Sequence, residues 1–257
     1  MAQYHLSRVK FNSNNNTQFE TFLSAMNGSV GHFPLANGQI NGISHINKFG
    51  YSGNISSLST IWDGSNIYTY SSSAGEVTIS GSSDDDSAVI EIQGLDANYN
   101  VVVQDVTLDA DGDGTASTNL IRIFRARVKT PAAGETTNAA NLSIRIAGQE
   151  RAKILAGNGQ TLMALYTIPA GKTGYLLNLT TSVDKNVDVI YKLFARKIDD
   201  GAFNLKGQFG TFGTPVDHSY PVPLKFEEKT DIEIQADAGS TAGGGATFDL
   251  ILVDNPT

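Results

Sequence analysis

The segment 109–114, which reads DADGDG, comes closer to a metal-binding pattern than any other part of the sequence. It carries carboxylates at alternate positions and then a glycine, as in the first half of an EF-hand calcium loop, where oxygen ligands surround a sharp turn. The match then ends, because Leu120 stands where a bidentate glutamate is required. Two interpretations stay open: a polar hairpin tip built from turn-forming residues, or a weak calcium site. The metal ligands in the second interpretation are Asp109, Asp111 and Asp113.

Positive charges occupy alternate positions of a second segment, residues 124–129. Side chains two residues apart share one face of a strand. Arg125, Arg127 and Lys129 therefore form a basic row, and the apolar residues between them point to the other face. The row is interpreted either as an exposed face whose charge nearby acids offset, or as a subunit contact. In the second case it meets an acidic patch, such as 84–86, on a neighbouring copy.

Motifs of familiar enzyme classes are absent from the sequence. There is no G-x-S-x-G nucleophile motif, and no histidine pair has the H-E-x-x-H spacing of metalloproteases. The Gly-Lys-Thr at 171–173 lacks the first glycine of a phosphate-binding loop and precedes a strand-like run. Cysteine is absent, which excludes disulfides, Cys-ligated zinc and iron–sulfur clusters. We therefore expect a chain that is not an enzyme and that uses no cofactor unless calcium binds.

Charge and hydropathy exclude further classes of partner. The chain of 257 residues has 18 Lys and Arg against 26 Asp and Glu, a net charge of −8, and no basic block. This argues against nucleic acid as a partner, because its phosphates require cations. No apolar run approaches the ~18 residues of a membrane-spanning helix, and residues 1–11 lack the apolar core of a secretory signal. We expect no membrane contact and synthesis in the cytoplasm of a host cell.

One helix is predicted among the elements that position these residues. Thr17 and Glu20 have capping-box spacing, and an Asn-Gly pair at 27–28 is a typical helix end. Together they predict a helix over 17–27. A helix this short is marginal alone, so its apolar stripe must pack against something. It packs either on its own domain or, as an N-terminal arm over 1–42, on a neighbouring subunit. The stripe consists of Phe19, Phe22, Leu23 and Met26.

Strand signals dominate the rest of the chain. Short runs rich in Val, Ile, Thr, Tyr and Phe are separated by Gly, Asn, Asp and Ser. This pattern predicts an all-β fold, an antiparallel β-sandwich or barrel rather than βαβ units. The stretch 130–141 has mainly small and polar residues and is the best candidate for a boundary. It divides the chain into β-rich parts 43–130 and 131–257, and one continuous sandwich domain is the alternative.

Four motifs carry a resemblance to known proteins. They read STIWDG at 59–64, YTY at 68–70, IEIQGLDANY at 90–99 and YTIPAGKTGYL at 166–176. With these motifs the chain resembles virion structural proteins of tailed bacteriophages, notably marine and cyanobacterial ones. The segment 109–114 departs from that pattern, in which a short Asn-Gly turn is expected.

The resemblance implies a structural component of a phage particle, located in the virion: a capsid decoration, neck, tail or fibre subunit. Jelly rolls are common in such proteins, so by analogy we expect a jelly-roll-like sandwich with one short N-terminal helix. We expect contacts with other virion proteins and a homo-oligomer, with a trimer as the first expectation.

Two rival functions stay open. A receptor- or glycan-binding β-sandwich module requires exposed aromatic rings for sugar stacking, and its candidates are Trp62, Tyr68 and Tyr70. The alternation of the two tyrosines also fits one packed face of a strand. An esterase-like or glycan-degrading enzyme requires paired carboxylates or a catalytic triad in a cleft. Nothing in the order of the residues favours that enzyme.

Overall fold

A computed structural model describes residues 33–36, 38 and 40–256. The predicted helix over 17–27, with its stripe of Phe19, Phe22, Leu23 and Met26, lies outside these residues. The described part has one short helix, α1 (Phe33–Ala36), and one 3₁₀ turn, Ser83–Asp85. No helix in it is long and apolar enough to cross a membrane.

Strands make up the regular structure of the described part. They are β1 (Ile43–Ile55), β2 (Ser59–Thr60), β3 (Val77–Ser80), β4 (Val89–Leu95), β5 (Val101–Thr107), β6 (Gly114–Thr115), β7 (Arg122–Thr130), β8 (Leu142–Ile146), β9 (Gln149–Ile154), β10 (Leu165–Thr167), β11 (Lys172–Val183), β12 (Asp188–Arg196), β13 (Asn204–Phe212), β14 (Val216–Phe226), β15 (Asp231–Ala238) and β16 (Ala242–Asp254).

These strands form four small sheets. Sheet 1 has the order β1-β16-β11-β14, and sheet 2 has the order β10-β15-β12-β13, with β2 also pairing with β15. Sheet 3 has the order β6-β3-β8-β9, and sheet 4 has the order β5-β4-β7. The strand pairs within them are antiparallel. The prediction of an all-β, antiparallel fold is therefore confirmed, although the sheets do not form one clear sandwich.

Apolar side chains of these sheets gather in two separate cores. The first core joins sheets 1 and 2 through residues such as Leu250 of β16, Leu193 of β12 and Ile234 of β15. The second core joins sheets 3 and 4 through residues such as Ile144 of β8 and Ile92 of β4. Each sheet is too small to bury a core alone, so side chains of more than one sheet share each core. The division into parts 43–130 and 131–257 stays a prediction.

Strand β15 is buried on both faces and borders the first core. Its sequence, DIEIQADA, alternates acidic or amide residues with apolar ones, so the two kinds of side chain point to opposite faces. Ile232, Ile234 and Ala236 belong to the first core. The opposite face carries Asp231 and Glu233, each 1% exposed. The buried carboxylates of this strand therefore point towards sheet 4, where Arg122 of β7 donates to Asp231.

Candidate functional site

The largest group of buried charges lies where β15 faces sheet 4, and we call it the polar layer. It contains Arg122 of β7, Thr167 of β10, Arg196 of β12, Asp231 and Glu233 of β15, and Tyr70 and Tyr99 from connecting segments. β15 contributes to the first core, and β7 contributes Phe124 to the first core and Ile123 and Ala126 to the second, so the layer lies where elements of both cores meet.

Arg122 is the central cation of the polar layer. Its Nε and Nη2 donate to the two carboxylate oxygens of Asp231 at 2.9 and 3.0 Å. Its Nη1 donates to the carbonyl oxygens of Ser71, at 2.7 Å, and Ile121, at 2.9 Å. The guanidinium also stacks over the ring of Tyr70, 5.0 Å from the centroid. A bidentate pair of this kind fixes both distance and orientation between two strands.

Asp231 accepts hydrogen bonds from three different elements. Besides Arg122, Thr167 Oγ1 donates to Oδ1 at 2.7 Å, and Arg196 Nη2 donates to Oδ2 at 2.7 Å. Two guanidinium groups and a hydroxyl thus surround a carboxylate that is 1% exposed. A buried charge is tolerated only when it is paired and hydrogen-bonded in this way.

Glu233 is a buried carboxyl group of the layer with a raised pKa. Burial raises its pKa from 4.5 to about 7, more than the hydrogen bonds from Gln235 and Tyr70 lower it. Tyr70 Oη donates to Oε2 at 2.9 Å, and Gln235 Nε2 donates to Oε1. A perturbed carboxyl is a common mark of a catalytic site. Here the side chain is buried and both its oxygens already have donors, so the arrangement suits packing better than contact with a substrate.

Three of the four motifs behind the phage resemblance converge on this layer. Tyr70 comes from YTY, Tyr99 from GLDANY and Thr167 from YTIPAGKTGYL. The amide of Ala170, in the third of these motifs, donates to the carbonyl of Tyr99 at 2.9 Å. The motifs thus supply the aromatic and hydroxyl partners of the Arg122–Asp231 pair, which indicates that they maintain the junction between the two cores.

Local sequence patterns do not identify Arg122, Asp231 or Glu233 as members of one site. The available signal was a charged side chain inside an apolar strand pattern, as in LIRIF at 120–124 and DIEIQ at 231–235. Such a residue is buried only if a partner of opposite charge is buried with it. The partners lie 109 positions apart in the sequence, so the pairing itself is not visible in local patterns.

No protein-family model matches the sequence, and no curated protein matches it. Among solved structures it is similar to the VP2 subviral particle of infectious bursal disease virus, with 8% identity and a TM-score of 0.20 over 84% of this chain and 73% of that chain. A structure of the Gx strain of that virus gives 9% identity and a TM-score of 0.20, over 82% and 74% of the two chains. At such TM-scores the likeness carries no argument about this chain.

Two members of the predicted basic row form ion pairs with acidic residues of the same sheet. Arg127 Nε and Nη2 donate to the carboxylate oxygens of Glu91 on β4, at 2.9 and 2.8 Å. Lys129 Nζ pairs with Asp105 on β5 at 2.5 Å. These contacts agree with an exposed face whose charge is offset locally. The subunit contact for the row stays a prediction.

Neither the acidic segment 84–86 nor Arg125, the third member of the row, takes part in these ion pairs. Asp85 is fully buried, and its carboxylate accepts from the backbone amides of Ala139 and Ala140 at 2.7 and 3.0 Å. It therefore holds the loop between β7 and β8. Arg125 donates from Nη2 to Gln160 Oε1 at 2.8 Å.

The aromatic residues considered for sugar stacking lie mostly inside the protein. Trp62 and Tyr68 are 3% and 4% exposed, and their rings meet edge to face with centroids 5.1 Å apart. The ring of Tyr70 lies 4.8 Å from that of Tyr68 and contacts Arg122. These contacts fit the interpretation that the rings pack inside the protein, where a sugar cannot stack on them.

The segment 109–114 forms a turn tied by its own first carboxylate. Asp109 Oδ1 accepts from the amides of Asp111 and Asp113, both at 3.0 Å. Among residues 33–36, 38 and 40–256, no three His, Cys, Asp or Glu side chains form a group that could hold a metal ion. Asp109, Asp111 and Asp113 therefore do not converge as placed. The calcium site stays a prediction.

We predict that Gly112→Ala destabilises the protein by about 2 kcal/mol. Gly112 has a φ of +80°, and a Cβ there would lie 2.0 Å from the carbonyl oxygen of Ser82, which is backbone and cannot rotate away. Urea unfolding measures the effect. Gly134→Ala is the matched control, because Gly134 has a φ of +87° but open space around it, so it should cost only about 1 kcal/mol. Equal losses would contradict the packing of this turn against Ser82.

Proposed function

We propose that this chain is a non-enzymatic structural component of a virus particle, which acts through contacts between subunits and with other virion proteins. The polar layer carries the proposal. Its buried acids are neutralised by the chain's own cations and hydroxyls, and they couple the two cores rather than face a cleft. The layer makes a rigid part from two small cores, and rigidity is what an assembly subunit requires.

The finer proposal is a part of a tailed bacteriophage: a capsid decoration, neck, tail or fibre subunit located in the virion. It is supported by the four sequence motifs, three of which supply partners to the polar layer. We also propose that each pair of sheets that shares a core is one sandwich. The jelly-roll-like prediction then applies to such a pair.

The segment 204–226 is the proposed subunit contact. It consists of β13, the edge of sheet 2, and β14, the edge of sheet 1. Large apolar side chains are exposed along it: 51% of Leu205, 61% of Phe212 and 81% of Val222. Val222 lies where β14 leaves its regular register with β11. Exposed apolar groups on edge strands are what association with another chain buries.

The N-terminal arm is a second proposed contact. The chain reaches the described part at α1, beside an apolar cluster on sheet 1 that includes Ile43, Ile251 and Leu177. The stripe of Phe19, Phe22, Leu23 and Met26 would supply apolar side chains to such a surface on a sister subunit.

We predict that Val222→Asp and Phe212→Asp each weaken self-association about tenfold or more. Burying a carboxylate at an apolar contact costs well over the ~1.4 kcal/mol that corresponds to one factor of ten. Sedimentation velocity over a range of concentrations measures the change. Val103→Asp, on edge strand β5 of sheet 4, is the matched control, because Val103 is 58% exposed and lies outside the proposed contact. If all three variants associate like the wild type, the segment 204–226 is not the interface.

A further inference from the structure

A small cavity lies between β1 of sheet 1 and β7 of sheet 4. Its volume is about 130 Å³, and its lining includes Lys48, Arg125, Thr161 and Gln93. That volume corresponds to about four water molecules. β1 belongs to the sheet pair of the first core and β7 to that of the second, so the cavity lies between elements of the two halves of the molecule.

Lys48 places a buried amino group at this cavity. The residue is 6% exposed, and its ammonium donates to the carbonyl oxygen of Phe124. In the part of the chain that the structure describes, neither Lys48 nor Arg125 forms an ion pair with a carboxylate. Burial, followed by the nearby charge of Arg125, lowers the pKa of Lys48 from 10.5 to about 7. A buried lysine of this kind is costly unless an anion accompanies it.

Arg125 adds a donor that has no acceptor. Its Nη2 donates to Gln160 at 2.8 Å, whereas its Nε is buried and has no hydrogen-bond partner among the residues that the structure describes. Buried N–H groups without an acceptor are rare in folded proteins and call for an explanation. An unsatisfied guanidinium N–H next to an unpaired ammonium is the donor set that binds an oxyanion.

The nearby carboxylates are engaged elsewhere. Glu91, on the strand next to β7, accepts hydrogen bonds from Nε and Nη2 of Arg127. Asp249, on the strand next to β1, accepts from His45 at 2.9 Å and from Asn47 at 2.8 Å. The protein therefore places two cations at this cavity and directs its neighbouring acids to other partners.

We propose that the cavity between Lys48 and Arg125 binds one small oxyanion of the phosphate, sulfate or carboxylate type. Lys48 contributes its remaining ammonium protons, and Arg125 contributes Nε–H. The bound anion would link β1 to β7 and so hold the two halves together at a second place, beside the polar layer. This inference goes beyond the proposed structural function and does not depend on it.

Urea unfolding of the full chain tests the proposal, with sodium phosphate, sulfate and acetate each compared with chloride at equal ionic strength. A bound anion stabilises the folded state by RT ln(1 + [anion]/Kd), so the folding equilibrium constant should rise about tenfold when the anion is at ten times its dissociation constant. Above the dissociation constant, the gain in free energy should grow with the logarithm of the anion concentration. A response to acetate as well as to phosphate and sulfate would mean that the site accepts carboxylates, and a response to the tetrahedral anions alone would restrict it to them.

Three variants separate the site from general salt effects, because phosphate and sulfate also stabilise proteins by exclusion from the surface. Lys48→Met and Arg125→Met should lose the site-specific stabilisation, and Lys129→Met should keep it, because Lys129 pairs with Asp105 on the surface. Lys48→Met should stay folded in chloride, because it loses the hydrogen bond to the Phe124 carbonyl but also removes a buried amine whose charged form burial disfavours. Two results would overturn the proposal: a wild type that no oxyanion stabilises more than chloride does, or equal anion effects in all three variants and the wild type.

Discussion

Replacing Arg122 with alanine is expected to lower the free energy of unfolding by about 3–5 kcal/mol, as removal of one partner from a buried ion pair does. Asp231 would stay 1% exposed and keep only Arg196 and Thr167 as side-chain donors. The carbonyls of Ser71 and Ile121 would also lose their donor. Urea unfolding monitored by circular dichroism measures the loss.

Arg127→Ala is the matched control for this prediction. Arg127 lies on the same strand and also makes a bidentate contact, with Glu91, but its side chain is 44% exposed. Solvent reaches Arg127, although the Glu91 side chain is only 10% exposed, so the substitution should cost about 1 kcal/mol, at the upper end for an exposed pair. Similar losses in the two variants would show that the polar layer has no special role in coupling the cores.

Glu233→Gln is expected to remove a pH dependence of stability between about pH 4.5 and pH 7. Burial raises the pKa of Glu233 from 4.5 to about 7, so in this range the folded state holds a proton that the unfolded state has released. The wild type therefore loses stability as the pH rises through this range, and the loss levels off above pH 7. The shift in pKa corresponds to about 3 kcal/mol. A neutral glutamine cannot contribute this slope.

The measurement is the free energy of unfolding of both proteins at several pH values across that range. Asp63, whose pKa burial raises to about 6, also contributes to the slope, but it contributes equally to both proteins. The difference between the two curves therefore isolates Glu233. Parallel curves would mean that Glu233 does not change its protonation state in the folded protein.

Strand content could be predicted from the sequence because alternation and turn residues are local properties. The limits of β14 could not. This strand contains Pro221 and Pro223, and proline removes a backbone donor, so the sequence pattern predicts a strand only from Val222. Prolines are tolerated there because β14 is an edge strand and leaves its regular register with β11 at this place. Edge position is a property of the whole sheet.

The polar layer illustrates the same limit for the candidate site. Local sequence shows that Arg122 and Glu233 interrupt apolar patterns, which marks them as unusual, but it does not show that Arg122 meets Asp231 of β15. The basic row behaves differently. Arg127 and Lys129 share a face as the two-residue period predicts, and their acidic partners lie on adjacent strands or one strand further. The two-residue period of a strand shows which side chains share a face. Which residues they pair with depends on how the strands are arranged in the fold.

The mass of the purified full chain in solution, measured by light scattering across the micromolar range, tests the structural-subunit account most directly. The account predicts a defined multiple of the mass of one chain that persists on dilution within this range. A single-chain mass at every concentration would contradict it, because the exposed apolar side chains of β13 and β14 would then have no copy of the chain to contact.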